Sequence, residues 1–167
     1  VDKTNINSAP HGVVIDILEN SSYIRDPRRK DGVRNRKFVY RHDPESTSFD
    51  FSLYPFIYSK PALKSKGKQS SDQSTQEILW TQQIIVRTLK EGSGTNKTDV
   101  GVDDMLQIMD DIDRYFESSD VRSDFKDNRL NFMDVATMSS MDEITVDNKT
   151  IYETVFEITY RTRLVVK

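Results

Sequence analysis

The segment at residues 152–166 constrains the fold of this chain most, because its side chains alternate in character with a period of two. The even positions carry aromatic, aliphatic and threonine side chains, whereas the odd positions from 153 to 163 are mostly Glu, Thr and Arg. Successive side chains of a β-strand point to opposite faces, so this pattern predicts a long strand with one buried and one wet face. A strand at 143–146 and a turn at 147–149 predict that it closes a hairpin.

The remaining segments predict helices and strands in an order that defines the fold class. Apolar residues three or four positions apart predict helices at 9–20 and 102–116. β-Branched and aromatic residues predict further strands at 37–40, 49–58, 77–90 and 130–136. With 167 residues the chain suits one domain. We therefore expect a single α+β domain over residues 1–167, with helices packed on one face of an antiparallel β-sheet.

A long polar segment separates the strands predicted at 49–58 and 77–90. It contains about 19 residues, rich in Lys, Ser, Gln and Gly, whereas hairpin loops usually have about 2 to 5. Because this composition cannot build a core, we interpret residues 58–80 as an extended hairpin arm whose partner lies outside the domain. In a free subunit, residues 60–76 are expected to be mobile.

The net charge of −3 conceals an unequal distribution along the chain. Residues 1–98 contain 16 Lys and Arg against 11 Asp and Glu, residues 99–147 contain 4 against 14, and residues 148–167 contain 4 against 2. The corresponding net charges are +5, −10 and +2. This asymmetry predicts either a polyanionic partner or copies of the chain that meet through surfaces of opposite charge.

Two sets of charged residues are candidates for such contacts. The basic set lies in a charged loop at 25–41 and in the hairpin arm, and comprises Arg28, Arg29, Arg34, Arg36, Lys60, Lys64, Lys66 and Lys68. The acidic set lies on the predicted helix at 102–116 and comprises Asp104, Asp110, Asp111 and Asp113. Calcium loops need oxygens at alternate positions around a glycine, so we expect the last three aspartates to form a solvated helix face instead.

The sequence carries no recognisable catalytic, cofactor or metal motif. Its two histidines, His11 and His42, accompany no nucleophile motif, and the glycines at 92 and 94 precede no phosphate-loop lysine. Without cysteine, the chain has neither disulfides nor thiolate metal sites. No apolar run approaches the roughly 20 residues of a membrane helix. We therefore expect no enzyme activity, no cofactor and no membrane partner.

Taken together, these segments resemble the tail terminator proteins of long-tailed bacteriophages, a small α+β family that ends tail-tube polymerisation. The resemblance includes the amphipathic helix at 9–20, the strand FDFSLYPFIY at 49–58 and the long hairpin that leads into IIVRTL at 84–89. It continues through the helix at 102–116 and ends with YETVFEITYRTRLVV, which is similar to the aromatic, Arg-bearing last strand of that family. The basic segment at 25–41 is longer than the family pattern.

The resemblance implies a structural virion protein that forms a homo-oligomeric ring, in that family a hexamer. Its implied partners are copies of itself, the tail-tube protein and the head-completion or connector protein, with DNA passing through the lumen without sequence-specific contact. The implied location is the tail–head junction of the virion, after assembly in the host cytoplasm. In such a ring, Arg28, Arg29, Arg34 and Arg36 would face the acidic helix of the next subunit.

Two alternatives remain open at the level of sequence. The long basic segment at 25–41 is compatible with a neighbouring role as a head-completion or neck protein of the connector. The basic segments at 25–41 and 60–68 are also compatible with a small nucleic-acid-binding module that grips phosphates. In that second case Tyr40, Tyr58 and Trp80 could stack on bases, although their strand patterns favour burial in the core.

Overall fold

The computed structural model describes residues 10–28, 36–65, 75–91 and 99–165. Within these ranges the chain forms three helices, namely α1 at Pro10–Asn20, α2 at Val100–Glu117 and α3 at Asp120–Asp127. It also forms six strands, namely β1 at Val39–Tyr40, β2 at Phe56–Ser59, β3 at Leu63–Ser65, β4 at Thr75–Leu89, β5 at Asn131–Val146 and β6 at Lys149–Val165. The predicted α+β class is confirmed.

All six strands belong to one sheet with β4 and β6 at its centre. The strand order is β1-β2-β4-β6-β5, and β3 pairs with β4 beyond the end of β2. Neighbouring strands are antiparallel except β1 and β2, which are parallel. β4 and β6 pair without interruption from Thr75–Val165 to Leu89–Ile151. This ladder is the longest regular contact among the described residues.

The helices cover one face of the sheet. Even-numbered residues of β4 and β6 reach this face, where they form one hydrophobic cluster with side chains of all three helices. The predicted alternation is confirmed on this face over 152–162, where the buried residues of β6 include Tyr152, Thr154, Phe156, Ile158, Tyr160 and Thr162. The burial of positions 164 and 166 lies outside the described part of the chain. A second element predicted from the sequence, the helix at 9–20, is confirmed as α1.

The opposite face is not fully wet, which corrects the expectation for the odd positions of 153–163. A second hydrophobic cluster lies there, formed by Tyr54, Phe56, Tyr58, Ile85, Leu89 and Ile151. Val155 packs against this cluster, and the odd positions of β6 from 153 to 161 are half-buried. The irregular segment that follows β1 therefore acts as a partial second layer over β2, β4 and β6.

The first turn of α2 packs directly on the end of β4. A Cβ atom at Gly101 would lie 2.3 Å from the carbonyl oxygen of Leu89, so no larger residue fits there without a backbone shift. Thr88 Oγ1 donates a hydrogen bond of 2.7 Å to the carbonyl oxygen of Gly101. Asp99 caps the helix by accepting the Gly101 N–H over 3.0 Å. These contacts fix the position of α2, and with it the acidic residues that α2 carries.

The strand predicted at 49–58 is wrong over its first half. Residues Phe51–Leu53 form a 3₁₀ turn, and the strand covers only Phe56–Ser59. The side chain of Asp50 accepts hydrogen bonds from the backbone N–H and the hydroxyl of Ser52, which stabilises the turn against an extended conformation. Pro55, which has no N–H to donate to a ladder, separates the turn from the strand.

The hairpin arm at 58–80 is shorter and better attached than its composition predicted. Leu63–Ser65 pairs with β4, and β4 already begins at Thr75. Ala62 packs against the main hydrophobic cluster. The expectation that residues 60–76 form a mobile segment is therefore wrong for 60–65 and for 75–76, because backbone pairing replaces the missing apolar side chains. Residues 66–74 lie outside the described part of the chain.

The hairpin at the carboxy-terminal end is confirmed, but its first strand is longer than predicted. The segments predicted separately at 130–136 and 143–146 belong to one strand, β5. Three register irregularities between Phe132 and Asp142 shift its alternation, so the sequence pattern breaks where the strand continues. Asp147 and Asn148 form the two-residue turn with positive φ angles of 48° and 62°, as a tight hairpin requires.

Helix α3 was not predicted from the sequence. It has eight residues, of which only Val121 and Phe125 are buried. Two apolar side chains four positions apart are too weak a pattern to distinguish a short helix from a polar loop. The helix forms because Phe125 inserts between Phe132 and Tyr160, with ring centroids 5.4 Å and 6.1 Å away.

We predict that Phe156→Ala lowers the free energy of unfolding by about 3–5 kcal/mol, because it leaves a cavity under the helical layer. Phe156 is 1% exposed and lies on the central strand β6. Urea unfolding followed by circular dichroism measures the change. The control is Glu157→Ala on the opposite face, for which we expect a change within about 0.5 kcal/mol. Equal effects of the two substitutions would contradict the assignment of the buried face.

Candidate interaction surfaces

The acidic face of α2 is only partly solvated. Asp110 and Asp113 are exposed as predicted, but Asp111 is completely buried, which corrects that expectation. The Asp111 carboxylate accepts hydrogen bonds from the Arg25 backbone N–H at 3.1 Å and from the Arg25 guanidinium at 2.9 Å and 3.3 Å. Arg114 donates a further bond of 3.0 Å. Asp111 therefore anchors the chain after α1 to α2.

Arg28 and Asp104 also meet within one chain. Their closest charged atoms are 3.7 Å apart, while Arg28 makes a shorter ion pair of 2.9 Å with Glu91. One oxygen of Asp104, Oδ2, is buried without a hydrogen-bond partner, since 3.7 Å is too long for a hydrogen bond. Burial raises the pKa of the Asp104 carboxyl, Arg28 opposes the rise and Glu91 adds to it.

Arg36 is a structural residue rather than a free cation. Its guanidinium pairs with both carboxylate oxygens of Asp26. The same group donates hydrogen bonds of 2.8 Å and 2.7 Å to the carbonyl oxygens of Leu53 and Pro55. Arg36 therefore connects the segment before β1 to the turn before β2, and little of its side chain remains accessible.

The other basic candidates divide into two groups. Lys60 and Lys64 are exposed, Lys60 directly after β2 and Lys64 on β3. Arg29, Arg34, Lys66 and Lys68 lie outside the described residues. Of the described charged candidates, Lys60, Lys64, Asp110 and Asp113 thus present exposed side chains, whereas Arg28, Arg36, Asp104 and Asp111 are held by contacts inside the chain.

The aromatic residues considered for base stacking are used in the core. Trp80 and Tyr58 are 6% and 5% exposed, and the Trp80 indole donates a hydrogen bond of 2.9 Å to Thr162 Oγ1. Tyr40 is half-buried at the edge of the second cluster. The strand patterns predicted that these rings are buried, and this is confirmed for Trp80 and Tyr58. Neither ring is therefore accessible for stacking on a base.

A second ionic cluster holds the segment after β1 on the sheet. The buried Glu45 carboxylate accepts hydrogen bonds from the Tyr54 hydroxyl and from the Asp50 N–H. Arg87 of β4 lies 4.0 Å from Glu45, pairs with Glu153 at 2.8 Å and covers the Tyr58 ring. Burial is the main cause that raises the pKa of Tyr58 to about 12. Each charge has a partner within the chain, so the cluster is structural.

The two histidines meet, but they do not assemble a catalytic triad. The ring centroids of His11 and His42 are 5.6 Å apart. Burial lowers the pKa of His11, and the neighbouring His42 and Arg41 lower it further. In the described part of the chain, neither imidazole forms a hydrogen bond with a hydroxyl or a carboxylate. No group of three or more described His, Asp or Glu side chains is arranged to hold a metal ion.

Strand β5 is the longest exposed edge strand of the described chain. It ends the strand order and has β6 as its neighbour, so no described strand pairs with the backbone groups of its outer edge. None of its 16 residues is buried. Met133 and Met138 are 41% and 55% exposed. The sequence pattern missed this surface, because the strand was predicted in two short pieces.

A basic cavity lies at the end of the sheet where α3 meets β4, β5 and β6. It has a volume of about 370 Å³ and is lined by Glu77, Lys126, Arg129, Leu130, Asn131, Arg161, Thr162 and Arg163. Four of these residues are cationic and one is anionic. None of these four cations was selected as a candidate from the sequence. More than thirty residues separate Lys126 and Arg129 from Arg161 and Arg163, so the sequence gives no sign that they meet.

Comparisons with known proteins leave the family undetermined. No protein-family model matches the chain. No curated protein matches it either. Across residues 10–28, 36–65, 75–91 and 99–165, no helix combines the length and the apolar character needed to cross a membrane.

We predict that Asp111→Ala lowers the free energy of unfolding by about 1–3 kcal/mol, because it removes the buried carboxylate that accepts the Arg25 backbone N–H and pairs with two guanidinium groups. Asp110→Ala, one position away and exposed, is the matched control with an expected change within about 0.5 kcal/mol. Urea unfolding of both variants gives the comparison. A loss of oligomers without a loss of stability in Asp111→Ala would contradict the intramolecular role.

We predict that Asp104→Asn stabilises the chain at neutral pH and loses this advantage in acid. The folded-state pKa of Asp104 is raised, so ionisation of this carboxyl costs stability as the pH rises from the unfolded-state value of 3.8 through the folded-state pKa. Asparagine does not titrate, so the difference between variant and wild type should grow over that window and then stay constant. Thermal unfolding across pH 3 to 7 measures it. A constant difference at all pH values would contradict this account.

Proposed function

We propose that this chain is a structural subunit that assembles into a homo-oligomeric ring, as the tail terminator proteins that it resembles do. The observation that carries the proposal is strand β5, an edge strand of 16 residues without a single buried side chain. Unpaired strand edges are templates for pairing with another chain, and stable monomers usually keep them short or cover them. No strand of the described residues pairs with this edge, and an edge of this length supports completion of the sheet by a neighbour.

The details of β5 favour a specific contact over indiscriminate pairing. At about 3.3 Å per residue, the strand offers an edge of roughly 50 Å. Its register irregularities interrupt the edge and restrict the partners that can pair with it. Met133 and Met138 add exposed apolar area, which an interface between subunits would bury.

A closed ring needs two different complementary surfaces on each subunit. The other side of the sheet ends in the short strands β1 and β3, and Leu63 of β3 is 70% exposed. We therefore propose that β5 of one subunit contacts the β3 side of the next subunit. Such head-to-tail contacts generate rings when the rotation closes.

Electrostatic contacts between subunits are more restricted than the sequence indicated. Arg28 and Arg36 pair with carboxylates of their own chain. Asp104 and Asp111 likewise pair with arginines of their own chain. Asp113 of α2, together with Lys60 and Lys64 near β3, remains available to a neighbour, whereas the exposed Asp110 pairs with Arg114 of its own helix at 3.0 Å. Exposed pairs contribute only about 0 to 1 kcal/mol each, so strand pairing and apolar contacts would supply most of the affinity.

The further assignments depend on the family resemblance. They comprise six subunits, contacts with the tail-tube and head-completion or connector proteins, DNA in the lumen and a location at the tail–head junction of a virion assembled in the host cytoplasm. A head-completion or neck protein is the closest alternative, because it would use the same ring-forming surfaces. A nucleic-acid-binding module is the more distant alternative, and the basic cavity is the observation that favours it.

We predict that Met138→Glu and Leu63→Glu each abolish ring formation, because each places a carboxylate in one half of the same contact. Light scattering and negative-stain images measure the assembly. Leu106→Glu on α2 is the matched control, because Leu106 is a comparably exposed apolar residue, at 52%, on the helical layer. The control should assemble as the wild type does.

The mixture of the two variants distinguishes the possible geometries. Met138→Glu retains an intact β3 side and Leu63→Glu retains an intact β5, so a head-to-tail contact predicts dimers of twice the subunit mass of 19.4 kDa when they are mixed. A symmetric β5–β5 contact predicts instead that Leu63→Glu assembles normally by itself. A wild-type chain that stays monomeric at all concentrations would overturn the proposal.

A further inference from the structure

We infer that the basic cavity between α3 and the ends of β4, β5 and β6 binds phosphate groups. Its lining combines Lys126 at the last turn of α3 and Arg129 just beyond it with Arg161 and Arg163 of β6. The only carboxylate in the lining belongs to Glu77 of β4. The cavity therefore has a formal charge of +3, although the whole chain is acidic at −3. This inference is independent of the ring proposal.

Most of the positive charge in the cavity is not neutralised by neighbours in the described chain. The single carboxylate of the cavity, that of Glu77, pairs with Arg161 at 3.3 Å. Among the described residues, Lys126, Arg129 and Arg163 form no ion pair, and all three are exposed. By contrast, Arg25, Arg28, Arg36, Arg41 and Arg87 each pair with a carboxylate. Three cations without a described carboxylate partner thus line one concavity.

Arg129 occupies a position where the backbone favours glycine. Its φ angle is 62°, in the left-handed region. The Arg129 N–H donates to the Lys126 carbonyl oxygen at 2.9 Å and the Leu130 N–H donates to the Phe125 carbonyl oxygen at 2.8 Å, which is the hydrogen-bond pattern of a helix ending at a left-handed residue. An arginine here costs conformational energy that glycine would not, so the local fold does not explain why a guanidinium is present.

The helix end explains only part of the cluster. A cation in the last turn of a helix interacts favourably with the helix dipole, and this accounts for Lys126. It does not account for Arg161 and Arg163, which come from β6 and approach the same cavity from the sheet. The convergence of cations from two elements on one concavity is typical of an anion site.

Phosphate fits this cavity better than the carboxylates of a protein partner. Arginine guanidinium groups bind phosphate through two parallel hydrogen bonds, and the formal charge of +3 complements the several negative charges of a di- or triphosphate or of adjacent phosphodiesters. The carboxylates of a helix face carry one charge each and are spread over a convex surface. The phosphate groups could belong to a free polyphosphate or to a nucleic-acid backbone, and experiment separates the two sources.

The test measures binding of inorganic tripolyphosphate and of a short oligodeoxythymidylate to the full chain by calorimetry at two salt concentrations. We expect Arg129→Gly to weaken binding about tenfold or more, the effect of losing one charge-assisted hydrogen-bonding group. The same substitution should leave the melting temperature unchanged or raise it, because glycine suits the left-handed backbone. Lys126→Ala should weaken binding in the same direction.

The matched control is Arg122→Ala, which removes an exposed cation from the same helix outside the cavity. It should bind both probes within about twofold of the wild type, because it changes only the overall charge. Tighter binding of the oligonucleotide with a steep salt dependence identifies a nucleic-acid backbone, and binding of tripolyphosphate alone identifies a free polyphosphate.

Three results would overturn the inference. They are binding of neither probe at millimolar concentration, equal weakening by Arg122→Ala and Arg129→Gly, and a change of oligomer size in Arg129→Gly without any phosphate binding by the wild type. The last result would assign the cavity to a protein contact. Oligomer size and phosphate binding are separate measurements, so failure here is distinguishable from failure of the ring proposal.

Discussion

The antiparallel pairing of β4 with β6 is the contact on which the rest of the structure depends. It is uninterrupted from Thr75–Val165 to Leu89–Ile151, so the alternation of one strand is locked to that of the other. Even-numbered residues of both strands form the floor under the three helices, and odd-numbered residues carry the smaller aromatic cluster. A slip by one residue would exchange the two faces and expose the whole core. The position of α2 follows from the same ladder, because Gly101 rests on the last residue of β4.

Charge is distributed along the sequence in blocks, but folding neutralises much of it within the chain. Asp111 of the acidic block is buried against Arg25 of the basic block, and Arg28 lies between Glu91 and Asp104. The net charge of a segment therefore overstates the charge that stays free for contacts with other molecules. The basic cavity brings together four cations of β6, of α3 and of the position after α3 around a single carboxylate. Strand β5 supplies the exposed edge and also contributes Asn131 to the lining of this cavity, although the two surfaces support different contacts.

Prediction from sequence succeeded where a pattern was long and regular. The helix at 102–116 and the alternation at 152–166 contain enough apolar positions to fix both the element and its buried face. The helix Asp120–Asp127 and the strand Leu63–Ser65 are too short and polar to be predicted from sequence. The helix forms because Phe125 packs between Phe132 and Tyr160. The strand forms because β4 has free backbone groups with which Leu63–Ser65 can pair. The candidate residues Arg36 and Asp111 were correctly identified as charged and wrongly expected to face other molecules, because partners distant in sequence satisfy them inside the fold.

The sequence by itself determined the α+β class, the central strand at 152–166 with its buried face, the turn at Asp147–Asn148 and the helix that carries the aspartates. These features depend on periodicity and on local backbone preference, and both can be read along the chain. Only the tertiary structure decided that Asp111 is buried, that β5 is one continuous strand at the end of the strand order and that Lys126, Arg129, Arg161 and Arg163 surround one cavity. Burial, strand order and convergence of side chains are set by contacts between distant segments, and the spacing of residues along the sequence does not record such contacts.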